Sequence, residues 1–225
     1  MNILALSDTE VRHLYDFYNP RRTEGTDLII SCGDLSAKYL EFLTTVVNKP
    51  LLYVNGNHDT HYHEHAPEGC ISIEDRIYEF KGYRIAGLGG SYKYKGLGKP
   101  YMYTEKQMEQ RIRRLHRWIR AYGGIDILVT HAPAEGFGDL DDLPHWGFDG
   151  FNDLLRECRP KMMLYGHVHK EYGEFQREMI HDSGTRLINC YGSIMIPVED
   201  REPPQRTPLE ERRIRLLKWA DGKEY

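Results

Sequence analysis

Five short apolar runs divide most of the chain, and each is followed closely by polar residues. The runs are too short for typical helices and have the length of strands buried on both faces of a sheet. They cover residues 2–7, 27–32, 51–54, 125–130 and 161–165. Because helix-like segments separate several of them, the pattern predicts an α/β fold.

Helices are predicted over residues 36–47, 104–122 and 148–158. Ser36 stands where a side chain can cap the first of them. Thr104 and Gln107 form a capping-box pattern at the start of the second, where apolar residues recur at helical spacing. Pro160 ends the third helix.

Two further pairs of strands are predicted. Residues 76–80 and 83–88 flank Lys81-Gly82, a two-residue turn that favours a hairpin. Residues 186–196 are predicted to form a last pair of short strands, broken at Gly192.

The composition changes after Pro197, which indicates a boundary. Residues 199–208 are charged and rich in proline, and residues 209–219 have the character of a short appended helix. We therefore predict one domain over residues 1–198 and a C-terminal extension over residues 199–225.

The composition is that of an ordinary globular domain, with 225 residues, 40% of them hydrophobic and 28% charged. No apolar run approaches the ~20 residues that a membrane-spanning helix needs, and the first residues lack the basic region of a signal peptide. A net charge of −4 argues against a generally basic nucleic-acid or membrane binder. Four widely spaced cysteines favour free thiols in a reducing compartment, so we expect a cytoplasmic protein.

The polar residues that follow the five runs are of the types that bind metals. They are Asp8, Asp34, Asn57 with His58, His131, and His167 with His169. An α/β sheet places its ligand site at the carboxyl ends of its strands, so we expect these side chains to converge. Carboxylate, amide and imidazole donors suit Mn²⁺, Fe or Zn²⁺ better than Ca²⁺. A carboxylate such as Asp34 can bridge two ions about 3.5–4 Å apart, which is an arrangement used in phosphoryl chemistry.

The order of these motifs resembles that of the calcineurin-like metallophosphoesterase family. The resemblance covers residues 8–169 and leaves out the C-terminal extension. It rests on Asp8-Thr9-Glu10, Gly33-Asp34, Gly56-Asn57-His58-Asp59, Thr130-His131-Ala132-Pro133 and Gly166-His167-Val168-His169. The resemblance implies a four-layer double β-sandwich flanked by helices, with a metal site at the C-terminal ends of strands.

The resemblance also implies an enzyme that uses two divalent metal ions, with Mn²⁺ favoured and Fe or Zn²⁺ as alternatives. One ion would be held by Asp8, Asp34 and His169. The other would be held by Asp34, Asn57, His131 and His167. A water or hydroxide that bridges the ions would attack phosphorus, and His58, oriented by Asp59, would protonate the leaving group. The expected substrate is a small phosphodiester or phosphomonoester.

The first motif departs from the family pattern, which usually has Asp-x-His where this chain has Asp8-Thr9-Glu10. If Glu10 binds in place of the histidine, the site becomes rich in oxygen, which favours Mn²⁺ or Fe²⁺ over Zn²⁺. The added negative charge would also favour a singly charged diester over a dianionic monoester. The alternative is that Glu10 points away and the first site is weak or empty.

Other chemistry-bearing residues have less specific patterns. His145 lies in the insertion between the fourth and fifth motifs and is predicted to contact the substrate. His61, His63 and His65 are consistent with an extra metal site, but a solvated loop is the preferred interpretation. Lys93, Lys95 and Lys99 alternate with tyrosines, which fits either a nucleotide contact or a surface loop. Exposed positions are predicted for the helix arginines from Arg111 to Arg120, and for His13, His116 and His181.

Three other functions are compatible with parts of the sequence. A non-catalytic scaffold of the same fold would bind protein partners that the sequence does not identify. A nuclease would need the lysine and tyrosine segment to line a channel, and the composition supplies no broad basic surface for duplex DNA. A single structural zinc site would need thiolates, which the motifs do not provide.

Overall fold

The computed structural model describes residues 1–94, 96, 99–173 and 175–222. The strands are β1 (Asn2–Ser7), β2 (Leu28–Ser31), β3 (Leu51–Tyr53), β4 (Ile71–Ser72), β5 (Ile77–Phe80), β6 (Tyr83–Leu88), β7 (Ser91–Tyr92), β8 (Met102–Tyr103), β9 (Ile127–Thr130), β10 (Met162–Tyr165), β11 (Glu178–Ile180), β12 (Arg186–Asn189) and β13 (Gly192–Pro197). The helices are α1 (Ala37–Val47), α2 (Glu105–Tyr122), α3 (Asp149–Cys158) and α4 (Pro208–Asp221). Short 3₁₀ turns lie at Arg12–Leu14, Pro20–Arg22, Leu143–His145 and Lys170–Tyr172.

Two sheets form the centre of the molecule. The first has the strand order β13-β1-β2-β3-β4, in which β1 to β4 are parallel and β13 is antiparallel. The second has the order β11-β12-β10-β9-β6-β5, in which the four inner strands are parallel and both edge strands are antiparallel. Strands β7 and β8 pair separately.

Alternating residues of each strand face different layers, because side chains of a strand point to opposite faces. Ile3 and Ala5 of β1 belong to an apolar cluster that joins both sheets. Leu4 and Leu6 belong to a second cluster, which packs the first sheet against α1. A third cluster packs the second sheet against α2, α3 and α4. These helix, sheet, sheet and helix layers confirm the predicted double β-sandwich.

Local sequence signals act as predicted. The Ser36 hydroxyl accepts a hydrogen bond from the Tyr39 amide at 3.2 Å and caps α1. Thr104 and Gln107 form the capping box of α2. Lys81 and Gly82 both have positive φ, 44° and 77°, as a tight hairpin turn between β5 and β6 requires. The predicted bounds differ from the observed ones by one or two residues, which is usual at element ends.

Two predictions of exposed positions were wrong. Arg111 is only 4% exposed, because its charge is paired within the fold by Glu74 and Asp75. His181 is 1% exposed and is hydrogen-bonded to Ser183 and to Asn152 of α3. In both cases a polar partner outside the residue's own element offsets the loss of water.

The residues after β13 pack against the two sheets and α2. Arg201 contacts Asp126, and the Tyr83 hydroxyl donates to the Glu199 carbonyl at 2.7 Å. A capping box at Thr207 begins α4, whose Ile214 is buried in the cluster around α2. The predicted helix is therefore present, and the boundary after residue 198 stays a prediction.

In the described part of the chain, no helix combines the length and the apolar character needed to cross a membrane.

Candidate metal centre

The predicted metal ligands follow the C-terminal ends of five parallel strands. Asp8 follows β1, Asp34 and Asn57 follow β2 and β3, and His131 and His167 follow β9 and β10. Three of these residues, Asp8, Asp34 and His167, have positive φ values of 64°, 57° and 68°. This conformation is uncommon for residues with a side chain, and it is concentrated at functional sites. The strand ends therefore turn sharply at three of the predicted ligands.

Asp34, His131 and His167 form the tightest group. One ligand atom from each lies within 4.8 Å of the others. His131 Nε2 is 3.4 Å from Asp34 Oδ2 and 3.0 Å from Asn57 Oδ1. Four residues assigned to the same ion by the sequence resemblance are thus brought to one place.

Asp8 and His169 form a second group beside the first. His169 Nε2 is 3.4 Å from Asp8 Oδ1. The backbone N–H of His167 donates to both Asp8 carboxylate oxygens, at 3.1 and 2.9 Å. Because His167 belongs to the first group, this contact fixes the two groups next to each other.

Backbone carbonyls orient two of the imidazoles. His131 Nδ1 lies 2.8 Å from the Cys32 carbonyl, and His167 Nε2 lies 2.7 Å from the Pro144 carbonyl. A ring nitrogen next to a carbonyl carries a proton, which leaves the other nitrogen of each ring available as a ligand. These contacts favour the tautomers that carry a proton on His131 Nδ1 and on His167 Nε2.

The electrostatics of the centre favour a bound cation. Burial opposes ionisation of Asp34, but the charge and hydrogen bond of His131 outweigh it and lower the Asp34 pKa to about 2. Burial lowers the His131 pKa, whereas Asp34 and Asp8 raise it, and the net result is a pKa of about 9. Burial and the charge of His131 lower the His167 pKa to about 3. The buried carboxylates thus hold a proton on a histidine that a divalent ion can replace, so the residues fit a metal site.

Three motif glycines leave room for ligands of other motifs. A Cβ atom at Gly56 would lie 2.0 Å from Asp34 Oδ1, and one at Gly166 would lie 2.5 Å from Asp8 Oδ2. At Gly33, which has a φ of 99°, a Cβ would lie 2.9 Å from His131 Nδ1. A side chain at any of these positions would displace a predicted ligand or the residue that holds it.

His58 and Asp59 lie at the rim of the centre. His58 is exposed, and its backbone N–H donates to Asp34 Oδ1 at 2.7 Å. Asp59 is buried, and its Oδ2 accepts from the backbone N–H groups of Asp34 at 2.9 Å and Gly56 at 2.7 Å. Burial and the charge of Asp34 raise the Asp59 pKa to about 7. Asp59 therefore joins the loops of the predicted ligands Asp34 and Asn57, and its orienting role toward His58 stays a prediction.

A sequence profile of the calcineurin-like phosphoesterase superfamily domain matches residues 1–207. The chain belongs to this superfamily. Membership supports a metal-dependent phosphoesterase in general, and the convergence of Asp34, His131 and His167 agrees with it.

Individual relatives are distant from this chain. It is 29% identical over 123 residues to a UPF0046 protein of Caenorhabditis elegans, a match that covers 54% of this chain and 28% of that protein. It is 28% identical over 126 residues to metallophosphoesterase domain-containing protein 1 of Homo sapiens, covering 54% of this chain and 34% of the relative. The chain thus matches only about a third or less of the length of these curated relatives. The solved structure of TT1561 of Thermus thermophilus has a TM-score of 0.60 and 18% identity, covering 85% of this chain and 89% of that one, and shows the fold alone.

Glu10, which stands where family members usually have histidine, faces the start of α1. Its carboxylate accepts a hydrogen bond from the Ser36 hydroxyl, and the residue is exposed. Ligation by Glu10 would require its side chain to leave Ser36, so its role as a ligand stays a prediction.

His145, in the insertion between the fourth and fifth motifs, lies beside His167 of the centre. Its ring centroid is 5.2 Å from that of His167 and 4.6 Å from that of Tyr172. Asp142 holds the ring through Nδ1 at 2.9 Å. Both the predicted substrate contact and a loop-anchoring role are compatible with this position.

Tyrosines around the centre were not singled out as site residues from the sequence. Tyr172 and Tyr191 stack on the two sides of His169, at centroid distances of 4.6 and 4.9 Å. The Tyr94 hydroxyl lies 3.4 Å from Asn57 Nδ2. Tyr94 belongs to the lysine and tyrosine segment, in which Lys95 lies outside the described residues. The alternation of lysine and tyrosine was the only feature of the sequence that pointed to Tyr94. That feature did not indicate that Asn57 would be its neighbour.

The three nearby histidines behave as a solvated loop. His61, His63 and His65 are exposed, and within the described residues they do not converge into a metal-binding group. The four cysteines are free thiols, as predicted.

Proposed function

We propose that this chain hydrolyses small phosphodiesters at a pair of divalent metal ions. The convergence of Asp34, His131 and His167, with Asp8 and His169 held directly beside them, carries this proposal. The group of Asp34, His131 and His167 and the adjacent group of Asp8 and His169 fit two ions better than one. Together they offer more donor atoms than a single four-coordinate ion needs.

In this proposal Asp34 is the shared ligand. Asp8 and His169, with Glu10 if it turns inward, hold one ion. Asn57, His131 and His167 hold the other. Oxygen and imidazole donors without a thiolate favour Mn²⁺ or Fe²⁺, with Zn²⁺ as an alternative.

When bound, two divalent ions would make water a stronger acid and offset negative charge on the phosphoryl oxygens. The protein residues position the ester and manage protons. His58 is exposed at the rim while its backbone is fixed to Asp34 Oδ1 at 2.7 Å, so its imidazole can approach the leaving oxygen and protonate it. Asp59 keeps this turn attached to the Asp34 loop.

A diester is preferred because the centre has few protein cations. The ion pairs of the predicted ligands, among the described residues, join them only to one another, as in His131–Asp34 and His169–Asp8. A dianionic monoester would gain less there than at a site with arginine or lysine. The rings of His145, Tyr172 and Tyr191 at the rim offer stacking surfaces, which suits a nucleotide-like substrate.

The first experiment compares bis(p-nitrophenyl) phosphate with p-nitrophenyl phosphate, each with and without Mn²⁺. We expect Mn²⁺-dependent hydrolysis, with a larger kcat/KM for the diester. A large preference for the monoester would contradict the diester assignment. Metal binding without hydrolysis of either ester would instead favour a non-catalytic scaffold.

A second experiment tests the acid role of His58. We expect His58→Ala to lower kcat by about 10²–10⁴-fold, the range typical of a lost general acid. The effect should be larger for esters with poor leaving groups, because these need protonation most. His63→Ala is the matched control, since His63 is a nearby histidine whose side chain is 60% exposed. Equal kcat values for His58→Ala and His63→Ala would contradict the role of His58 as the general acid.

A further inference from the structure

We propose that the partly buried ion pair of Glu74 and Arg111 is a positioning device for one of the two metal sites, the one assigned to Asn57, His131 and His167. The inference rests on the proposed binuclear function and adds residues outside every motif of the sequence analysis. Glu74 precedes β5, and Arg111 lies in α2, so neither follows the end of a strand that supplies a ligand.

Glu74 holds the loop that supplies Asn57. Its Oε1 accepts from the backbone N–H of Asn55 at 2.6 Å, two residues before the ligand. Its Oε2 accepts from the backbone N–H of Gly89 at 3.1 Å. One carboxylate therefore ties the segment after β3 to the segment after β6.

Arg111 holds Glu74 in place. Its side chain is 5% exposed and contacts Glu74 Oε2, while its Nε donates to Asp75 at 2.8 Å. It also donates to the Gly89 carbonyl and lies 4.4 Å from the centre of the Tyr103 ring. The guanidinium thus pairs with the Glu74 carboxylate and also donates to the carbonyl of Gly89, whose N–H binds the same carboxylate.

Gly89 and Gly90 extend the contact to the loop that supplies His131. The Gly90 N–H donates to the Asn55 carbonyl at 2.7 Å, and the Gly90 carbonyl accepts from the Ala132 N–H at 3.4 Å. A Cβ at Gly89 would lie 2.4 Å from the Asn55 carbonyl oxygen. The glycines therefore bring together the residues that adjoin Asn57 and His131.

The charge of the pair matters more for geometry than for stability. Replacing a buried ion pair with apolar residues is often neutral for stability. Here the two oxygens of Glu74 accept from the backbone N–H groups of two different loops, and the charged contact with Arg111 fixes the carboxylate in that arrangement. Residues that orient ligands in this way typically affect metal affinity by about 10–100-fold. The contacts of Glu74 and Arg111 lie on the Asn57 and His131 side of the centre, so their effect should be confined to one ion.

The test is a titration of metal-free protein with Mn²⁺, in which electron paramagnetic resonance counts the free ion. Wild-type protein should bind two ions. In Glu74→Gln we expect one dissociation constant to rise by about 10–100-fold and the other to stay unchanged. Circular dichroism confirms that the titrated protein is folded. Arg111→Lys keeps the charge without the fork geometry and should weaken the same site.

Asp126→Asn is the matched control. Asp126 is a buried carboxylate paired with Arg84, and it precedes β9, at the strand end opposite the centre. It should lower stability without changing either Mn²⁺ affinity. Unchanged Mn²⁺ affinities in folded Glu74→Gln would overturn the proposal. So would equal weakening of both sites in Glu74→Gln and Asp126→Asn.

The outcome for wild-type protein separates this inference from the proposed function. Binding of a single Mn²⁺ would contradict the binuclear assignment, and the positioning role would then be decided by whether Glu74→Gln weakens that one site. Binding of no Mn²⁺ would overturn both.

Discussion

Buried carboxylates lie at both ends of the parallel strands, but they have different partners. Before β9, Asp126 receives three hydrogen bonds from Arg84, at 2.8 to 3.0 Å, and a further contact from Arg201. Burial opposes its ionisation, but these partners outweigh it and lower its pKa. At the C-terminal ends, Asp8 and Asp34 are paired with histidines and backbone N–H groups.

The difference separates a structural carboxylate from a predicted metal ligand. Arginine remains charged at any ordinary pH, so the negative charge of Asp126 is satisfied permanently. A histidine can exchange its proton for a metal ion, which an arginine cannot do, and an N–H group carries no net charge. The negative charge of the carboxylates at the C-terminal ends is therefore not permanently neutralised by the protein. A divalent ion can neutralise it.

The largest effect is expected from Gly166→Ala. The new methyl group would lie 1.9 Å from Ser7 Oγ and 2.5 Å from Asp8 Oδ2, so the Asp8 loop must move. We expect Mn²⁺ affinity to fall by at least about 100-fold, the upper end of what loss of ligand orientation produces. Calorimetric titration measures it, with Gly96→Ala as control, since a Cβ at Gly96 meets nothing within 4 Å. Similar affinities of the two variants would contradict the packing of Gly166 against Asp8.

The next effect concerns stabilisation by metal. Mn²⁺ at 100 times its dissociation constant should raise the free energy of unfolding by about 2.7 kcal/mol. Asp34→Asn should abolish the increment, because it removes the shared ligand, and Asp126→Asn should retain it. Chemical denaturation with and without Mn²⁺ measures all three. An increment that survives in Asp34→Asn would place the ions elsewhere.

The third prediction concerns the opposite ends of the strands. Asp126→Asn should lower the free energy of unfolding at pH 7 by about 1–3 kcal/mol, because it leaves buried donors poorly satisfied. Since the folded pKa of Asp126 lies below its ordinary value of 3.8, its contribution is present above that value and is lost as the pH falls through the folded pKa. Thermal unfolding of both proteins should therefore converge toward pH 2. A difference that is the same at pH 7 and pH 2 would contradict the ion-pair assignment.

The smallest effect is expected from Tyr94→Phe. The substitution removes a hydroxyl 3.4 Å from Asn57 Nδ2 and leaves the ring. A neutral hydrogen bond contributes about 0.5–1.5 kcal/mol, so kcat/KM for the diester should fall by about 10-fold or less. Tyr78→Phe, in β5, is the control. Equal rates for both variants would limit Tyr94 to packing.

The sequence predicted the positions of most central strands, and the polar residues that it singled out after them lie close together in the fold. A strand made of a continuous apolar run, such as residues 2–7, must be covered on both of its faces, whichever elements cover it. The run alone therefore predicted β1, and likewise β2. The short strands β4, β7, β8 and β11 have only two or three residues and no comparable pattern, so they were not predicted. Arg111 was misjudged because a helix pattern gives the direction of a side chain and not the charge of its neighbours.

The amino-acid sequence by itself determined which donors end the strands, because ligand chemistry is a property of single residues and their local turns. Only the tertiary structure decided which donors meet, as when the His167 N–H binds Asp8 across 159 positions of the chain. It also decided that Gly56 and Gly166 must lack side chains and that Glu74 and Arg111 hold the loop of the predicted ligand Asn57. These contacts depend on how two sheets pack, and packing is set by many distant residues together, so no local pattern encodes them.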